Sequence, residues 1–98
     1  MSSSPPTGDP PPADATVRAD LEVVELDGDL VVYDPVSTAS HVLSGGAVVV
    51  WHELARSRVG GLVERVADLV GEPVDDIADD VGLVVAQLTE LGLLEIAR

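Results

Sequence analysis

Residues 23–54 read VVELDGDLVVYDPVSTASHVLSGGAVVVWHEL, and the predicted strands and the first predicted helix lie mostly within this segment. Two apolar, β-branched segments, 21–26 and 30–33, flank an Asp-Gly pair at Asp27. Such a pair is a strong hairpin signal, because glycine supplies the positive φ that a tight turn needs. Asp34-Pro35 then ends the second strand and begins another turn. Residues 40–43 form a third short predicted strand, so the stretch predicts a three-stranded antiparallel sheet.

Three helices are predicted after the strands. They run from about Gly46 to Ala55, from about Gly61 to Val70 and from about Asp75 to Leu91. Ser44 is the predicted N-cap of the first helix, and Gly71 and Gly92 suit the residues that end the second and third. Apolar residues at helical spacing mark the face of each helix that we expect to turn inward. These residues are Val49, Val50 and Leu54; Leu62, Val66, Leu69 and Val70; and Ile77, Val81, Val84, Leu88 and Leu91.

Three strands followed by three helices predict an α+β fold of the winged helix-turn-helix type. The 98 residues allow one domain, and we expect the apolar terminus 93–96 to fold back on its core. Residues 1–16 are rich in Ser and Pro, which predicts a disordered tail before a domain of residues 17–98. The tail has no secretory-signal pattern, and no apolar run approaches the roughly 18 residues that span a bilayer.

The charge of the chain restricts its partners. Eighteen acidic residues stand against five arginines and no lysine, a formal net charge of −13. Nucleic-acid binding depends mainly on phosphate neutralisation by Lys and Arg, and an anionic membrane surface makes the same demand. We therefore expect neither partner, and a winged helix of this charge is best interpreted as a protein-recognition module. The absence of Cys fits a reducing cytoplasm.

No residue pattern indicates catalysis. His41 and His52 are the only histidines, and neither is placed to activate a serine or threonine. A metal site would need further nitrogen or sulfur ligands. The acidic residues at 75, 76, 79 and 80 fall on a predicted helix, where a solvated face is the simplest interpretation. We expect no enzymatic activity, no cofactor and no metal.

Two features instead favour a groove. On a helical wheel Leu83 falls well outside the apolar stripe of the third helix, so its side chain can line a groove wall. The third predicted strand is an edge strand that carries no Lys, Pro or inward charge to discourage pairing. An open edge beside a helix suits a peptide that adds as a further strand, with main-chain hydrogen bonds for affinity and side-chain pockets for specificity.

Several segments together resemble the PqqD-like family. They are ELDGDLVVYDP at 25–35, the strand ending in HVL, the helix with Trp51, and the later Asp80-Val81, Leu88 and Gly92-Leu93-Leu94. The family comprises the peptide chaperones of pyrroloquinoline quinone biosynthesis and their relatives, the RiPP recognition elements. The resemblance covers about residues 23–96. One departure is Leu43-Ser44-Gly45-Gly46, where relatives usually read L-N-P-T-G/A.

This resemblance implies a non-catalytic domain that binds the leader segment of a ribosomally made precursor peptide. The leader would add as a strand in the cleft between the third strand and the third helix. The domain would then present it to a modifying enzyme, commonly a radical SAM protein, or to a leader peptidase in lasso-peptide pathways. The implied strand wall is Ser40, His41, Val42 and Leu43. Helix-wall candidates, chosen from the helical wheel with family support for the first alone, are Asp80, Leu83, Val84, Gln87 and Leu91.

Two alternatives stay open beside a stand-alone recognition module that is a monomer or weak homodimer. A transcriptional regulator would need a basic recognition helix, and the second helix offers only Arg65 against Glu64 and Asp68. A small structural or dimerising subunit of an unrelated complex would show a concentration-dependent mass and no peptide partner.

Overall fold

The structure, a computed structural model, describes residues 12–96. In chain order the elements of this part are β1 (Ala15–Val17), β2 (Glu22–Leu26), β3 (Asp29–Asp34), β4 (Ala39–Leu43), α1 (Gly46–Arg56), α2 (Leu62–Val70), α3 (Val74–Glu90) and β5 (Leu94–Ile96). Strands β2, β3 and β4 pair antiparallel in that order. The predicted α+β arrangement, a three-stranded antiparallel sheet followed by three helices, is therefore confirmed.

The predicted hairpin joins β2 to β3. Asp27 and Gly28 form its two-residue turn, and both have a positive φ, 54° and 86°. This combination belongs to a type I′ turn, whose twist matches that of the flanking strands. Leu26 consequently lies opposite Asp29, and Val24 lies opposite Val31. The turn chemistry of the sequence thus fixes the register of the sheet.

A second, two-stranded sheet was not predicted. Strands β1 and β5 pair antiparallel, with Thr16 opposite Glu95, so the apolar terminus returns to the start of the ordered chain. Ala15 and Thr16 fall within the predicted tail but belong to β1, and residues 1–11 of that tail lie outside the described residues. Three-residue strands show no usable periodicity, and pairing partners almost a chain length apart leave no local signal.

The start of α1 differs from the prediction. Gly45, with φ of 61°, is the residue before the helix, and no side chain caps its first turn. Capping by the Ser44 hydroxyl is therefore wrong. The amides of Ala47 and Val48 instead donate to the main-chain oxygens of Ser44 and Gly45, at 3.2 and 3.1 Å. The ends of the other helices are as predicted, with Gly71 at a left-handed φ of 74° closing α2.

One core joins the inner face of the three-stranded sheet to the three helices. Its centre is made of fully buried side chains, among them Leu30, Leu54, Leu62, Leu88 and Leu93. Parts of the predicted inward faces are wrong. Leu69 is 60% exposed and Val70 is also exposed, whereas Val85, outside the predicted stripe, is buried and Val84 only partly so. Because α3 packs against both α1 and α2, those contacts set which face it buries.

Arg18, between β1 and β2, connects three distant segments. Its Nη1 and Nη2 donate to the two carboxylate oxygens of Asp34 at 2.9 and 3.1 Å. Nη1 also donates to the main-chain oxygen of Gly92 at 3.0 Å, and Nε and Nη2 donate to Asp20 at 3.1 and 2.7 Å. The hydrogen bond from Arg18, assisted by the amide of Val36, holds the pKa of the largely buried Asp34 at about 2. The same guanidinium lowers the pKa of Asp20.

The depressed pKa of Asp34 predicts a stability that depends on acid pH. The ionised carboxylate stabilises the folded state above its ordinary pKa of about 4, and this contribution disappears as the pH falls through the folded pKa of about 2. We expect Asp34→Asn to lower the urea midpoint at pH 7, and the difference from the wild type to shrink between pH 4 and pH 2. Asp29→Asn, at an exposed position, is the control. A difference that stays constant down to pH 2 would contradict this role.

Candidate functional site

Among residues 12–96, no strand pairs with the outer edge of β4. The two-residue turn makes Leu26 and Asp29 a hydrogen-bonded pair, and such pairs alternate with non-bonded pairs along an antiparallel ladder. Even-numbered residues of β3 therefore bond to β4, where their partners include His41. It follows that Ser40 and Val42 point their main-chain N–H and C=O groups away from β3, towards the free edge.

The four predicted strand-wall residues differ in what their side chains offer. Val42 is 63% exposed, Ser40 is exposed, and His41 is half-buried. Leu43 is only 3% exposed and packs in the core. The β4 wall thus presents main-chain groups at Ser40 and Val42, while Leu43 anchors the strand to the domain and has no side chain free for a ligand.

An apolar cleft of about 480 Å³ lies among the start of α1, the middle and end of α2 and the central part of α3. Ser44, which directly follows β4, belongs to its lining, so the end of β4 lies beside the cleft. The lining residues are Ser44, Gly46, Ala47, Val49, Val50, Val66, Val70, Ile77, Asp80, Val81, Leu83 and Val84.

Three of the five predicted helix-wall residues line this cleft. They are Asp80, Leu83 and Val84, which lie in the middle of α3. Leu83 is 69% exposed, in keeping with its position outside the apolar stripe. The structure does not bring Gln87 or Leu91 to the cleft: Gln87 is exposed further along α3, and Leu91 packs against the core.

The cleft walls opposite α3, which belong to α1 and α2, were not predicted from the sequence. Val49 on α1 and Val70 on α2 line it, although both had been assigned to inward faces. A signal was present for α1, because neighbouring helical residues point about 100° apart and Val49 and Val50 cannot both face the core centre. Of the pair, Val50 is buried and Val49 is partly exposed.

The side chains that line the cleft are mainly apolar and suit contacts with an apolar ligand group. Within residues 12–96, no three His, Cys, Asp or Glu side chains converge as a metal site would require. The Nε2 atom of His52 lies 3.1 Å from the Glu25 carboxylate, an exposed contact between α1 and β2 outside the cleft. An open strand edge and an apolar cleft can hold an extended peptide.

The family model described as Coenzyme PQQ synthesis protein D (PqqD) matches residues 29–94. This range runs from the start of β3 to the start of β5, and so includes both the open edge and the cleft. The chain belongs to the PqqD family. Membership indicates that this PqqD-family protein takes part in PQQ-type biosynthesis. No curated protein and no solved structure gave a significant match.

The family resemblance read from the sequence is thereby confirmed. It rests on the order and spacing of the same segments that build β3, β4, α1 and α3. Between residues 12 and 96, none of the helices is long and apolar enough to cross a membrane.

The exposure of Leu83 generates a prediction. Because its side chain lines the cleft without joining the core, we expect Leu83→Asp to change the free energy of unfolding by less than about 0.5 kcal/mol. Loss of an apolar contact should weaken the binding of a leader peptide roughly tenfold, measured by fluorescence anisotropy. Leu69→Asp is the matched control, since Leu69 is similarly exposed on α2 but does not line the cleft. Equal loss of affinity in both variants would argue against the cleft.

Proposed function

We propose that this PqqD-family protein is a peptide chaperone in the biosynthesis of a ribosomally synthesised, modified peptide. It binds the leader segment of the precursor as an additional strand on the edge of β4. It then presents the precursor to its modifying enzyme, a radical SAM protein or a leader peptidase. The absence of Cys from the chain suits this role in the cytoplasm.

The observation that supports this proposal best is the free edge of β4 beside an apolar cleft. Ser40 and Val42 direct main-chain donors and acceptors outward, which is what an incoming strand needs. The lining of the cleft supplies apolar walls for the side chains of that strand. The edge gives affinity that is independent of sequence, whereas the cleft selects among peptides.

The energies of these contacts are sufficient for specific binding. A few edge hydrogen bonds contribute roughly 0.5–1.5 kcal/mol each, and one or two apolar anchors contribute roughly 1.5–3 kcal/mol each. Ordering a flexible leader subtracts part of this gain. We therefore expect a Kd between about micromolar and about tens of nanomolar.

The arginine of α2 argues against a regulator that binds DNA. Arg65 Nη1 donates to the main-chain oxygen of Gly60 at 2.7 Å, and Nη2 donates to that of Arg58. Its Nε lies 3.7 Å from the buried carboxylate of Glu53. The guanidinium is thus engaged within the domain, and the neighbouring Glu64 and Asp68 would repel phosphate.

A proline scan of the two free sheet edges tests the proposal. Proline at an edge position whose N–H points outward leaves the ladder intact but removes a donor. We expect Val42→Pro to weaken binding of a labelled leader peptide, taken from a short open reading frame beside the gene, roughly tenfold or more. Val23→Pro is the matched control, because the same alternation turns its N–H towards the opposite free edge, that of β2.

As a control, circular dichroism should show that both proline variants remain folded. Normal binding by Val42→Pro, or an equal loss in both variants, would rule out strand addition on β4. A wild-type protein that binds no leader and whose mass rises with concentration would favour the structural or dimerising subunit.

A further inference from the structure

The cleft is apolar apart from one acidic side chain. Among the described residues that line it, Asp80 is the only charged one, and Ser44 is the only other residue with a polar side chain. Asp80 is exposed, so its carboxylate remains accessible to a ligand that enters the cleft. A peptide in this cleft therefore meets a negative charge beside apolar walls.

Position along α3 relates this charge to the apolar wall. Asp80, Leu83 and Val84 are spaced i, i+3 and i+4, so they share one face of the helix. The rise from Asp80 to Val84 is about 6 Å. Side chains two residues apart on one face of an extended strand are separated by about 6.7 Å. The two spacings agree closely enough for one strand to reach both positions.

We infer that the leader segment bound here carries a lysine or arginine two residues from an apolar anchor, with the cation beside Asp80 and the anchor against Leu83 and Val84. This inference rests on the proposed function, because it needs an extended peptide along the cleft. It adds the chemical class of peptide that is selected. Asp80 is then a specificity-determining residue of the site.

The net charge of −13 attracts any cationic peptide, so the test must separate the effect of the Asp80 carboxylate from that of the net charge. The chain offers a matched control at the preceding position. Asp79 is also an exposed aspartate on α3, but it does not line the cleft. Asp79→Asn and Asp80→Asn change the net charge equally and differ only in the place of the lost carboxylate.

The first stage of the test uses a random library of short peptides displayed on phage and selected against the wild-type protein. We expect enrichment of a basic residue two positions from an apolar residue. Selection against Asp80→Asn should lose the basic residue and keep the apolar one, whereas selection against Asp79→Asn should retain both.

The second stage measures one selected peptide by fluorescence anisotropy. For a partly exposed ion pair we expect binding roughly two- to fivefold weaker with Asp80→Asn. Asp80→Arg replaces attraction by repulsion, so the expected loss is roughly tenfold. Exchange of the peptide cation for glutamate should restore affinity towards Asp80→Arg. Asp79→Asn should stay within about a factor of 1.5 of the wild type.

The outcomes separate this inference from the function on which it rests. Selected peptides without a basic residue, or equal effects of the two asparagine variants, overturn the inference. If Val42→Pro still abolishes binding of those peptides, strand addition on β4 stands. If wild-type protein selects no peptides, or Val42→Pro binds them normally, the proposed function fails and the inference falls with it.

Discussion

The hydrogen bonds of Arg18 hold the separate parts of this small domain together. One guanidinium joins Asp34 at the end of β3, Asp20 before β2 and the main chain at Gly92 after α3. The main-chain amide of Arg18 also donates to Leu93 at 2.9 Å, beside the pairing of β1 with β5. A domain of this size buries little apolar surface, so a single residue that links distant segments through both its side chain and its main chain is an important part of the structure.

The contacts of Arg18 do not involve the two candidate binding surfaces, which are the outer edge of β4 and the cleft. β3 lies at the centre of its sheet and supplies the buried residues Leu30 and Val32. β4 contributes Leu43 to the core, and in the described part of the chain it pairs with β3 alone. α3 likewise has a core-facing side and an outer side: Leu88 is buried, whereas Leu83 lines the cleft. The edge of β4 and the α3 wall of the cleft thus belong to a strand and a helix, which hold a binding geometry more precisely than loops do.

The distribution of charge suits recognition of a peptide. Acidic side chains cover much of the surface, and the arginines at 18, 56 and 65 are engaged with carboxylates or carbonyl oxygens of the same chain. A strongly negative surface raises the rate of encounter with cationic ligands and repels the phosphate groups of nucleic acids. The cleft itself is mainly apolar. The negative charge of the surface therefore favours cationic ligands, whereas contacts inside the cleft favour ligands with apolar side chains.

The local features of this protein could be predicted from its sequence. Asp27-Gly28 specifies the type I′ turn and hence the register of β2 and β3, and Gly71 and Gly92 end their helices, because each depends on a backbone angle that few residues adopt. The position of Leu83 outside the core followed from helical periodicity. Tertiary structure alone decided the pairing of β1 with β5, the burial of Val85 and the cleft walls at Val49 and Val70. These features depend on contacts between segments far apart in the chain, and local periodicity cannot specify which neighbour a helix face will meet.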